Sequence, residues 1–153
     1  MTVKECYEAM GGDYEDVLKR LMSEARVQKF ALMFKNDPSM SQLTQAMDAG
    51  DVETAFRAAH TLKGICANLG FKSLFEVSYE ITEALRAGDM EQAKVMWPGV
   101  QACYERVENA LNQLERTVRI CLYRRFKEQK VQNKIKLKRK GFEDDMSKVW
   151  CET

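Results

Sequence analysis

The chain contains one histidine, His60, in the run Ala59-His60-Thr61-Leu62-Lys63-Gly64-Ile65-Cys66-Ala67-Asn68-Leu69-Gly70. Imidazole is a nucleophile and proton acceptor near neutral pH. Lys63, three residues on, brings a cation suited to balancing charge on an anion. Gly64, four residues on, brings backbone without a side chain. Residues at i, i+3 and i+4 share a helix face, so a helix here gathers His60, Lys63 and Gly64 into one patch. Glycine costs about 1 kcal/mol in a helix interior, so Gly64 points to access or close approach rather than to helix formation.

The element that must position these residues is a helix from Val52 to about Asn68, punctuated by Ala49-Gly50-Asp51 before it and Gly70 after it. At about 100° per residue with Phe56 at zero, Ala55, Ala59, Leu62, Cys66 and Leu69 fall between about 220° and 300°, which is the core stripe. His60, Lys63, Gly64 and Ala67 fall between about 340° and 80°. The imidazole is therefore expected in solvent, with Phe56 at the boundary and two small residues on its C-terminal side.

The remaining pattern is helical throughout. Val3 to Met10 makes a short amphipathic helix stopped by Gly11-Gly12. Asp13 caps a helix with Val17, Leu18, Leu21 and Met22 as its apolar positions. Ser23 opens another, which places Val27, Phe30, Ala31 and Phe34 at helical spacing and ends near Asn36-Asp37-Pro38. Ser39 or Ser41 starts a short helix carrying Leu43, Ala46 and Met47. Phe71 to Ala87 is a helix with Leu74, Val77, Ser78, Ile81 and Leu85 on one face. The last body helix runs from Met90 to about Glu115 with a stripe from Ala93 to Leu114, kinked or divided at Pro98-Gly99. No strand-like alternation appears. The expectation is an all-α antiparallel four-helix bundle, with residues 1–12 as an N-terminal helical extension, 13–115 as the bundle and 116–153 as a tail.

With 153 residues the chain is long enough for one buried core. No run reaches the roughly 18 apolar residues of a membrane span, and no apolar signal core follows the N-terminus. The expected setting is the cytoplasm. Five cysteines, widely spaced and without a C-x-x-C pair, read as reduced thiols. One histidine is too few for a Cys/His zinc site, so no metal ligands are assigned.

The net charge of +1 hides an asymmetry. Residues 1–115 carry 12 basic and 18 acidic side chains, a net of −6. Residues 116–140 carry 11 basic side chains against Glu128 alone, a net of +10, and residues 141–153 carry −3. The simplest reading of 116–140 is a helical extension that becomes a solvated basic segment. Contact with nucleic acid or an anionic membrane is the functional alternative, and a segment foreign to the domain is a third.

His60-Thr61-Leu62-Lys63-Gly64 followed by Asn68-Leu69-Gly70 resembles the H-x-x-K-G-x(4)-L-G signature of histidine-containing phosphotransfer (HPt) domains, the four-helix-bundle phosphocarriers of bacterial two-component phosphorelays. The resemblance covers about residues 13–115. It implies that His60 accepts a phosphoryl group from a receiver-domain aspartate and passes it to another receiver. It implies that Lys63 stabilises phosphoryl charge, and that Phe56, Ala59, Gly64 and Ala67 border the receiver-docking surface. Response-regulator receivers and a hybrid histidine kinase are the implied partners. No cofactor is implied on this chain, and magnesium is expected on the receiver. The chain has no G-x-x-x-x-G-K-[ST] loop and no nucleotide-binding domain, so a phosphotransfer intermediate rather than an enzyme is expected. Two rivals stand beside this reading: a regulator that docks on receivers without chemistry, and a helical adaptor that binds nucleic acid through its basic tail.

Overall fold

Seven α-helices and one 3-10 turn account for almost all of the described chain. The computed structural model describes the backbone of residues 1–151 and the side chains of residues 1–140. The helices are α1 (Val3–Met10), α2 (Tyr14–Leu21), α3 (Glu24–Met33), α4 (Ser39–Ala49), α5 (Val52–Leu69), α6 (Lys72–Arg86) and α7 (Met90–Cys151), with the 3-10 turn at Phe34–Asn36. No strand occurs among the described residues. The fold is an all-α helical bundle. The chain divides into two compact units, Met1–Glu115 and Arg116–Thr153.

Short polar caps set the helix boundaries in the first unit. Asp13, Asp51 and Asp89 each accept a hydrogen bond from the backbone N–H three residues on, at 3.0, 3.1 and 3.0 Å. These bonds satisfy donors that a helix start leaves free. Thr2 and Glu5 close a reciprocal capping box on α1. Gly50 and Gly70 end α4 and α5 in the left-handed conformation.

Gly70 also has no room for a side chain. A Cβ there would stand 2.2 Å from Val17 Cγ2 and 3.0 Å from the Asp13 carbonyl oxygen. The end of α5 is thus pressed against the start of α2. Asp13 N–H donates to the Gly70 carbonyl at 2.8 Å, and the Tyr7 hydroxyl donates to the Leu69 carbonyl at 2.9 Å. α1 and α2 therefore tie down the C-terminal end of the helix that carries His60.

Helix α5 packs between α4 and α6. Leu43 and Met47 from α4, Leu62 and Cys66 from α5, Leu74, Ile81 and Leu85 from α6, and Val100, Val107, Leu111 and Leu114 from α7 are buried together with Phe71. Tyr7, Phe34, Phe71 and Tyr104 form a chain of tilted and edge-on rings with centroids 5.1–5.8 Å apart. Lys35 and Glu115 form an ion pair that links the 3-10 turn to α7.

Two expectations need adjustment. Met22 is 85% exposed rather than inward, because it takes the left-handed position that ends α2 (φ 55°). Phe30 is 39% exposed, on the rim of α3. Of a kink or a division at Pro98-Gly99, the division is excluded: α7 is one helix through both residues, which lie on the solvent side, while Ala93 and Val100 stay buried. α7 continues past Glu115. Residues 116–140 contain neither glycine nor proline and are rich in lysine, arginine and glutamine, all good helix formers. The side chains of the acidic stretch 141–153 lie outside the described residues.

Candidate functional site

His60 lies near the middle of α5 and its side chain is exposed. The Phe56 ring, one turn earlier, stands 5.9 Å from the imidazole centroid at 37°. Phe56 is itself half-buried. The Arg86 guanidinium, from the last turn of α6, sits 5.7 Å from the Phe56 centroid. A cation, an aromatic face and the imidazole therefore form a short stack that leads from α6 to α5.

Lys63, one turn after His60, is half-buried, and its ammonium lies 5.2 Å from the centroid of the Tyr79 ring on α6. This distance is within cation–π range. The contact draws the flexible lysine to one side of the histidine.

Gly64 is exposed, and a Cβ placed on it would meet nothing within 4 Å. Packing inside this chain does not demand a glycine there, in contrast to Gly70. Ala67, one turn further, is also exposed. Its carbonyl accepts a hydrogen bond from Arg20 of α2 at 3.3 Å, and Arg20 in turn pairs with Asp16 at 2.8 Å. Beside Ala67 opens a cleft of about 270 Å³, lined by Asp13, Asp16, Lys72 and Phe75 among others.

Ala59 requires a correction. It has no exposed surface and belongs to the core stripe with Ala55, Leu62 and Cys66. It lies one residue, about 100°, from His60, and its methyl group is turned into the bundle. A docking partner cannot touch that side chain. The structure brings together His60, Phe56, Lys63, Gly64 and Ala67 on the accessible side of α5 and leaves Ala59 behind.

Tyr79 and Arg86 escape the sequence reading, because both reach the site across the α5–α6 packing from positions 16 and 26 residues beyond Lys63 and His60. The available signal was the α6 wheel, which turns Tyr79 and Arg86 away from its apolar stripe.

Cys66 is fully buried, and burial pushes its thiol up to about 12, with the Ser78 hydroxyl pulling the other way. It is a packing residue. Among the described residues, no group of three or more His, Cys, Asp or Glu side chains is placed to hold a metal ion. No helix among them is long and apolar enough to cross a membrane.

Comparison with protein families gives the class directly: the Hpt domain matches residues 16–117. The chain belongs to the Hpt domain family. Domains of this family carry phosphoryl groups on histidine in phosphorelays, interact with response-regulator receiver domains, and are phosphocarriers rather than kinases. Comparisons with curated proteins and with solved structures gave no match.

Proposed function

We propose that His60 is the phosphoacceptor of this chain and that the exposed face of α5 is where receiver domains dock. The observation that carries this reading is the combination at one face: an exposed imidazole, Lys63 one turn on, and a glycine whose missing side chain this chain does not need. In the transfer, the lone pair of the His60 Nε2 attacks the phosphorus of a receiver phosphoaspartate in line. The N–P bond forms as the P–O bond breaks, and its electron pair leaves with the aspartate carboxylate. Lys63 balances charge on the phosphoryl oxygens during the exchange. The same step run backwards hands the group to a second receiver. The magnesium that this chemistry uses belongs to the receiver. Donors and acceptors are receivers of a hybrid kinase and of a response regulator in the cytoplasm.

The test is transfer of labelled phosphoryl from a phosphorylated receiver. Label is expected on this protein in an acid-labile, base-stable form and is expected to vanish in His60→Gln. A wild-type protein that binds receivers but takes up no label would instead be a docking regulator without chemistry.

A further inference from the structure

The unit Arg116–Thr153 has no part in the reading above. From Arg119 to Lys140 every residue of α7 is exposed, and residues 116–140 carry a net charge of +10. The cations are not scattered evenly. Arg116, Arg124, Lys127, Lys130, Lys134 and Lys138 recur at helical spacing, and at about 100° per residue they fall within an arc of about 120°. At 1.5 Å rise per residue they form a basic stripe roughly 33 Å long. Lys127 lies at the centre of that arc, and its ammonium stands 5.0 Å from the ring centroid of Tyr123, which falls within the same arc.

We propose that this stripe binds double-stranded nucleic acid through its phosphate backbone, without reading sequence. A straight row of cations matches a duplex, which carries one negative charge per about 1.7 Å of axis. An anionic membrane fits less well. A helix lying in a bilayer surface needs an apolar face opposite its basic face. Here the opposite side carries Arg125, Lys136, Arg139 and Lys140 alongside Val118 and Leu122, together with Gln129 and Gln132. The exposed apolar residues divide between two sides of the helix, Leu122, Phe126 and Leu137 on one and Ile120, Val131 and Ile135 on the other, so they form no single face opposite the basic arc. Phosphate contacts tolerate this arrangement, because they require only cations on the side facing the duplex.

The full-length protein is titrated against a fluorescein-labelled DNA duplex of about two helical turns, with anisotropy as readout. With six phosphates neutralised, the slope of log K against log salt is about −5, and affinity falls roughly a thousandfold between about 50 and about 200 mM salt. Two triple variants remove equal charge. Lys127→Gln with Lys130→Gln and Lys134→Gln lies on the stripe and reduces the magnitude of the slope by about 3. Arg125→Gln with Lys136→Gln and Arg139→Gln lies off it and leaves the slope within about 1 of wild type. Circular dichroism checks that both keep the helix. Equal losses in the two triples would show that bulk charge alone acts and would overturn the stripe. No binding at low salt would overturn the proposal outright. Tighter partitioning onto phosphatidylserine vesicles than onto the duplex would assign the segment to membranes instead.

Discussion

At the scale of single residues, Gly64 separates function from folding most sharply. Gly64 and Gly70 both belong to or bound α5, yet their surroundings are opposite. A side chain at Gly70 collides with Val17, whereas one at Gly64 meets open space. Gly64→Ala is therefore expected to stabilise the bundle by about 1 kcal/mol, the difference in helix propensity, as read by urea denaturation. Gly64→Leu is expected to keep full helix content yet block transfer from a receiver, because its side chain would fill the open space on the proposed docking face. Normal transfer by the leucine variant would refute the docking face. Tyr79 makes a subtler claim. Its ring holds the Lys63 ammonium, and an exposed cation–π contact is worth about 0.5–1 kcal/mol. Tyr79→Ala should slow transfer about two- to fivefold, Tyr79→Phe should restore it, and in a Lys63→Ala background Tyr79→Ala should have no further effect. An effect that persists without Lys63 would mean that Tyr79 acts on the partner and not on the lysine.

At the scale of elements, the caps were legible and the long-range partners were not. Asp13, Asp51 and the glycines at 50 and 70 announce helix ends through local chemistry: a carboxylate that accepts from free N–H groups, or a residue that tolerates positive φ. The wheel of α5 could place Leu62 and Cys66 inward, because burial follows angle. It placed Ala59 inward as well, and the docking role given to Ala59 by the family resemblance is what burial overturns. Tyr79 and Arg86 were invisible because they reach α5 from α6, far along the chain. α7 runs on past Glu115 because a change from acidic to basic composition does not terminate a helix, and no glycine or proline occurs between Gly99 and Gly141. The junction of α5 with α2 shows how closely such elements are set. Gly70→Ala forces a methyl group against Val17 and the Asp13 carbonyl at a left-handed position. It should destabilise the bundle by about 2 kcal/mol or more in denaturant titration. Unchanged stability would mean that the α2–α5 junction yields freely.

At the scale of the whole molecule, the first unit is held by a core that includes ionisable groups kept neutral. Cys6 and Cys66 are fully buried, and burial raises their thiols to about 11 and about 12. Burial also pushes the Tyr7 hydroxyl upward while it donates to the Leu69 carbonyl. In the unfolded chain a thiol ionises near 8.5. Below that pH both states hold the proton, and the thiols leave the balance unchanged. As pH rises above it, the unfolded chain sheds protons that the folded core retains. Stability therefore falls with pH, and each thiol removes up to about 1.4 kcal/mol per pH unit until its folded value is reached. Urea midpoints should decline from about pH 8.5 upward, and Cys66→Ala should flatten part of that decline while lowering stability at neutral pH through lost packing. A thiol reagent at neutral pH should reach exposed Cys121 in the native protein and Cys6 and Cys66 only on unfolding. A midpoint that stays level through the alkaline range, or native labelling of Cys66 at the rate of Cys121, would show that the core around α5 opens far more readily than its packing indicates.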